Sequence, residues 1–225
     1  MSRDKISKAR GLKTLPAERL AREQGTISKD WGGRLPIALI YPNSYYLGMS
    51  NLGLHTLYRL LNSYDDVVGE RVFWEKENRD KKLAPLSLES RRPLSDFAAL
   101  AFSISYELDY FNVVSILKAS GIPLYATDRD ERHPVVIAGG PCIMANPMPL
   151  SPFFDCLCIG EAEPIIPALL PVLSKGISGR RDTSHPARHL CAASTFENPG
   201  GPPVDSQSGR LPGYFGHTDT GHRAG

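Results

Sequence analysis

The sequence predicts an α/β domain: a doubly wound parallel sheet of about five strands in the flavodoxin-like order 2-1-3-4-5. Two observations carry this. Short apolar runs alternate with helix-periodic segments from Pro36 to about residue 176. The later runs, "FAALAFSIS", "HPVVIAGG" and "DCLCIG", are continuous rather than alternating. Strands of a parallel sheet covered by helices on both faces have that character, and right-handed crossovers then restrict the strand order.

The elements follow in order. "PIALIY" is strand one, "LHTLYRLLNS" helix one and "ERVFWE" strand two. The stretch "NRDKKLAPLSLESRRPLSD" is charged and punctuated by prolines, so it is expected as a surface excursion carrying at most a short helix. "FAALAFSIS" is strand three, and "YFNVVSILKASG" is helix two with a glycine stop. "HPVVIAGG" and "DCLCIG" are strands four and five, and "AEPIIPALLPVLSKG" is the last helix.

Outside this unit, residues 1–34 are polar and rich in Lys and Arg. They are expected to be a mobile arm or one that packs on the domain or a neighbour. The Rossmann-type domain is placed at 35–176. Past Ile177 the composition changes abruptly, and four of the six histidines fall here. Residues 177–225 show no helix or strand period and are expected to be disordered. The histidines His185, His189, His217 and His222 show no coherent metal-ligand spacing.

The chain has 225 residues with a formal net charge of +2, so neither DNA nor a membrane surface is expected as a partner. No apolar run reaches the ~18 residues that span a bilayer, and the N-terminus lacks a secretory h-region, which predicts a cytoplasmic protein. The cysteines Cys142, Cys156, Cys158 and Cys191 have neither C-x-x-C spacing nor the run of thiolates that holds an iron–sulfur cluster. They are expected to be reduced and structural.

The loops at the carboxyl ends of the strands form the ligand crevice of an open α/β sheet. They are Pro42 to Gly53, a further one after Trp74, Ser105 to Asn112, Gly139 to Pro147, and Gly160 to Glu163. In the first, Gly48 and Gly53 allow close backbone approach, and Ser50 or Asn51 caps the following helix. In the third, Ser103 and Ser105 leave room at a strand end, and Asp109 or Asn112 caps helix two. In the fourth, Gly139 and Gly140 offer a flat surface to a ring or make a tight turn. In the fifth, Glu161 and Glu163 suit a helix N-terminus with or without a ligand.

These blocks, above all "YPNSYYLGMSNLGLHTLY" with "AFSISYELDYFNVVSILKASGIPL", "VVIAGGPC" and "FFDCLCIGEAEPIIPALL", resemble a known family over about residues 20–180. It is the N-terminal, cobalamin-binding-type domain of radical S-adenosylmethionine (radical SAM) proteins. Cobalamin-binding domains of the methionine synthase kind carry D-x-H-x-x-G after strand one, Ser-x-Leu after strand three and Gly-Gly after strand four. The resemblance places Asn43, Tyr45 and Gly48 on the first pattern, Ser103 and Ser105 on the second, and Gly139 and Gly140 on the third. Glu161 completes the candidate cofactor-binding set. The glycines and Ser103 match. Tyr45 stands where the cobalt-coordinating histidine would, Asn43 replaces its carboxylate partner, and Ser105 replaces the leucine. The resemblance therefore implies cobalamin held without a protein histidine, with His55 as an imidazole on helix one.

Such proteins hold a [4Fe-4S] cluster and S-adenosylmethionine in a following barrel, so those cofactors are expected only in a full-length parent. The leading expectation is a fragment that is not catalytic alone and whose partner is that barrel. The alternative is a cobalamin-free docking module for a protein or RNA substrate. A stand-alone enzyme using Cys142 as nucleophile is a third reading. The tail is expected to arise from a frameshift shortly after "GISGRRD": one back-translation of "RHLCAA", shifted by a base, reads "GIYVP", a string of the kind that related full-length proteins show at this point.

Overall fold

The computed structural model describes residues 18–178. The expectations for the tail, its histidines, Cys191 and the frameshift lie outside those residues. Five strands form one wholly parallel sheet in the order β2-β1-β3-β4-β5. They are β1 (Leu35–Tyr41), β2 (Val67–Phe73), β3 (Ala99–Ser103), β4 (Val135–Gly139) and the short β5 (Cys156–Leu157). The predicted fold class and strand order hold.

Each sheet face carries its own core, because alternate strand residues point to opposite sides. On one face Ile37, Leu39 and Tyr41 meet α2 (Leu52–Asn62) and α6 (Ala162–Ser178). On the other, Ala38, Ile40, Leu100 and Phe102 meet α4 (Tyr110–Ala119) and α5 (Pro141–Ala145). Helix α2 buries Leu54, Tyr58 and Leu61, one stripe at helical spacing. Helix α6 contains Pro167 and Pro171, each of which removes a backbone donor at a cost of ~3 kcal/mol. Both prolines lie on the exposed side, while Ile165, Ile166, Leu169, Leu170 and Leu173 are buried. Burial of those five side chains, at about 1.5–3 kcal/mol each, offsets the loss.

One short helix falls where a loop was expected. Within the first loop, α1 (Tyr45–Met49) is capped by Ser44, whose Oγ accepts from Leu47 N. After β2, α3 (Lys76–Lys81) is the predicted short helix and ends on Lys82 in the left-handed region.

The charged excursion after it departs from expectation. Its middle folds back along the free edge of β2 instead of lying on the surface. Leu88 N donates to Arg71 O at 2.7 Å, Arg71 N donates to Glu89 Oε2 at 2.7 Å, and Leu86 pairs with Pro93. Ser87, Leu88 and Leu94 are buried. An exposed sheet edge must be covered or blunted, and this segment covers it.

The described part of the N-terminal arm also packs on the domain. Trp31 meets Phe97 edge-on at 4.8 Å, and its Nε1 donates to Glu70. Tyr58 Oη exchanges hydrogen bonds with the Ile27 backbone, and Lys29 Nζ donates to the carbonyls of Tyr64 and Val67. The strongest tie is Arg71, with 2% of its side chain exposed. It pairs with Glu23 at 2.6 Å and Glu89 at 2.7 Å.

Replacing Arg71 with Met leaves two buried carboxylates without their cation, and the expected cost is about 3–5 kcal/mol in urea unfolding. For Glu23, burial raises the carboxyl pKa, but hydrogen bonds from Tyr45 and Arg71 and the Arg71 charge outweigh it and hold it below the ordinary value. Its contribution is therefore present above the ordinary carboxylate range and lost as pH falls through the folded value. For Glu89, burial pushes the carboxyl the other way. The difference between wild type and Glu23→Gln isolates the first effect: the gap in their urea midpoints should shrink as pH is lowered from neutral into the carboxylate range. A constant gap would contradict this.

Candidate functional site

A parallel sheet brings every strand's carboxyl end to one edge, and the order 2-1-3 makes the gap between β1 and β3 the switch point of the sheet. Side-chain carboxamides join the loops across this gap. Asn43 Nδ2 donates to Asp109 Oδ1 at 2.7 Å. Asn51 uses both ends of its amide: Oδ1 accepts from Leu54 N at 3.0 Å and caps α2, while Nδ2 donates to Ser105 Oγ at 3.2 Å. Beneath them the Tyr41 phenol is buried; burial raises its pKa, partly opposed by hydrogen bonds with Ser105 and Asn51. Asp109 occupies the N-cap position of α4 but makes no side-chain cap bond. Its Oδ1 receives Asn43 and Asn112 instead, and burial raises its carboxyl pKa.

The residues expected to bind a cofactor divide into two groups. Ser103, Gly139 and Gly140 share an apolar cavity of about 90 Å³ between the sheet and helices α2 and α6. Ile37, Leu39, Leu61, Ile137 and Leu169 are among its walls. Gly139 faces it across from Cys158: a Cβ on Gly139 would lie 3.5 Å from Cys158 Cβ, in ordinary contact. Gly140 differs. Its φ is +103°, and a Cβ there would stand 2.8 Å from Ile104 O. The turn itself thus requires glycine at 140, while at 139 the missing side chain leaves space.

Asn43, Tyr45, Gly48 and Ser105 are not among the residues lining the cavity. Gly48 faces inward, where a Cβ would overlap the Phe73 ring, so its glycine lets α1 settle on β2 rather than admitting a ligand. Tyr45 leans the same way, edge-on to Phe73 at 5.3 Å, with the Arg19 guanidinium 4.5 Å from its ring centre. Its phenol donates to Glu23 Oε1 at 2.6 Å, and burial together with Glu23 pushes its pKa up to about 12. It is a neutral, fully engaged phenol. His55 is engaged as well, with Nε2 2.9 Å from Met49 O. Glu161 is exposed just ahead of α6 and outside the cavity lining. The buried Cys142 thiol is pushed up by burial, which does not suit a nucleophile.

Sequence reasoning passed over Cys158 and Asp109 as site residues. Cys158 had a readable signal, since it sits two residues before the glycine that opens α6. Asp109 had a signal only as a cap for the following helix, and nothing in the sequence pairs it with Asn43.

Gly139→Ala should leave stability within about 1 kcal/mol of wild type. Gly140→Ala should lose about 1–3 kcal/mol through its backbone conformation alone, and the clash with Ile104 adds to that. Equal urea midpoints for the two variants would contradict the assignment.

A family model described as "Radical SAM proteins, N-terminal" matches residues 53–195. The match runs past Asp182, so the composition change near Ile177 does not mark its end. An uncharacterized protein of Methanocaldococcus jannaschii is 33% identical over 129 residues, which is 56% of this chain and 24% of that protein. The aligned part therefore spans about a quarter of that relative's length. No solved structure matches the chain. Since the family match covers more than half of the sequence, the chain belongs to the radical SAM proteins, in which it is the N-terminal region.

Proposed function

We propose that this region is a cobalamin-type domain that holds the cofactor's nucleotide tail in the cavity between sheet and helices, without an axial ligand from the protein. The observation that carries the reading is the cavity: it lies at the carboxyl end of β3 and β4, is lined by Ser103, Gly139 and Gly140, and is apolar elsewhere. Ligand pockets run to several hundred Å³, so an aromatic base with its linker would enter this slot only as α6 moves off the sheet, with Gly139 supplying room and Ser103 a hydroxyl at the strand end. Bound cobalamin would supply methyl-transfer or redox chemistry at cobalt. The chain's own part is to seat the tail and exclude water from it. Tyr45 does not fit as a cobalt ligand, because its phenol is committed to Glu23 and remains protonated at neutral pH.

The rim around the crevice supports a covering partner. Tyr46 and Leu52 after β1, Leu108 and Phe111 after β3, and Met148 after β4 are each more than two-thirds exposed. Large apolar side chains gathered at one edge mark an interaction surface. Their occupant in this reading is the radical SAM domain of a full-length protein, which would bring the [4Fe-4S] cluster and S-adenosylmethionine. On its own the chain is not catalytic. Among the described residues no helix is long and apolar enough to cross a membrane. A second reading, a cobalamin-free module that docks a protein or RNA substrate, is favoured by one observation: the position matching the cobalt-ligating histidine is closed by Phe73, Glu23 and Arg19.

Isothermal titration with hydroxocobalamin distinguishes them. Binding is expected in the micromolar range or weaker, about 8 kcal/mol or less. Gly139→Leu fills the slot and should weaken binding by more than ~10-fold while the protein stays folded. Tyr45→Phe should leave affinity unchanged and cost about 1.5–3 kcal/mol of stability through the lost bond to a carboxylate. Absence of binding to wild type would support the docking module, and a large loss with Tyr45→Phe would restore Tyr45 to the cofactor site.

A further inference from the structure

The cavity between sheet and helices is a seam that runs beneath α6. Ala162 in the first turn of that helix and Leu173 in its fourth both line it, a span of about 16 Å along the helix axis. The strands below create the space. Toward α6, β3 turns only Ala99, Ala101 and Ser103, and β4 ends on Gly139, while Leu100 and Phe102 fill the opposite face. The apolar side chains of α6 accordingly lack part of their contact on the sheet side. Ile165, Ile166, Leu169, Leu170 and Leu173 remain 4–9% exposed, whereas Val113, Ile116 and Leu117 of α4 are at 0%.

Three further features weaken the hold on this helix independently of the cavity. Pro167 and Pro171 have no N–H to offer the carbonyls of Glu163 and Pro167, so two rungs of the helical ladder are missing on the solvent side. The strand that leads into α6 is the shortest in the sheet: β5 pairs with β4 only at Cys156 and Leu157. Between that strand and the helix stands Gly160, with φ +128°, where a Cβ would meet nothing nearer than Ile165 Cδ1 at 3.6 Å. Glycine at 160 therefore serves the backbone path and not the packing, and it gives this joint a wide choice of dihedral angles.

We propose that α6 is the gate of the cavity: it opens from the sheet as a local unit hinged at Gly160, exposes the apolar seam, and is reseated by a flat, apolar ligand group that fills it. A segment with an interrupted ladder and incomplete packing opens at a lower free energy than the whole domain unfolds. An occupant supplies the contacts that Leu169 and its neighbours lack, so filling the seam and ordering the helix are one event. The side chains that line the seam are apolar apart from Ser103 and Cys158, which selects a ring or short hydrocarbon over a charged group. The role of gate rests on the cavity being the binding site proposed above, whereas the opening itself is a property of the chain without ligand.

Native-state hydrogen exchange on the full chain, read by peptide mass spectrometry, tests the gate. Without ligand, the amides of Leu169, Leu170 and Leu173 should exchange at least ~100-fold faster than those of Val113, Ile116 and Leu117. The double variant Pro167→Ala, Pro171→Ala restores two backbone donors at exposed positions and should slow exchange in α6 by more than ~10-fold while leaving α4 unchanged. That dependence separates opening of the helix from simple nearness to solvent. Saturating hydroxocobalamin should slow exchange in α6 of the wild type, and its association rate should fall in the double variant, whose gate opens less often. Equal protection of α4 and α6, or exchange in α6 indifferent to the proline replacements, would overturn the gate. Fast, proline-dependent exchange that hydroxocobalamin leaves unaltered would support the gate and remove cobalamin as its occupant.

Discussion

Arg71 holds together parts of the chain that the sheet alone would not. It lies on the edge strand β2 and contacts Glu23 from the N-terminal segment, Glu89 from the excursion, Met49 at the end of α1 and the ring of Tyr58 on α2. A guanidinium so deeply buried is tolerable only because carboxylates and ring face surround it. Remove the cation and the carboxylates on either side are stranded. Remove either segment and the charge is exposed on one side and unpaired. The edge of the sheet, the arm and the first loop consequently share one electrostatic constraint.

That constraint reaches the candidate site through Tyr45. Glu23 is held by Arg71 and in turn holds the Tyr45 phenol, while Arg19 stacks over the same ring and bonds Glu75. Glu75 also accepts from Tyr45 N. The first loop is thereby drawn toward β2 and away from the cavity. On the other side Asn43 and Asn51 tie that loop to β3. The result is a crevice whose first loop is closed by its own side chains and whose open space lies between the sheet and helices α2 and α6.

A helical protein histidine and an open slot are separable devices for holding a large cofactor. The first supplies a directional bond at the metal; the second supplies burial. In the proposed reading the side that would supply the directional bond is filled by aromatic and ionic contacts, and burial is what the chain offers. The exposed Tyr46, Leu52, Leu108 and Phe111 surround that device, so a covering domain would add burial where the isolated chain lacks it.

Much of the fold was legible because it follows from local pattern. Continuous apolar strands, the stripe of Leu54, Tyr58 and Leu61 on α2, and the cap residue Asn51 each report on residues a few positions away. Spacing and chain order then determine a parallel sheet and its order by crossover handedness. Sequence alone also placed Ser103, Gly139 and Gly140 at strand ends, since those positions follow the strands directly. It did not tell the two glycines apart. Only the path of the chain past Ile104 makes Gly140 obligatory and leaves Gly139 facing a cavity. Nor could it place the charged excursion, whose Glu89 side chain is buried against Arg71, 18 positions earlier on β2. The roles of Gly48 and Tyr45 were decided in the same way. Each depends on which distant side chain fills the space in front of it, Phe73 or Glu23, and such long-range contacts leave no local period in the sequence to read.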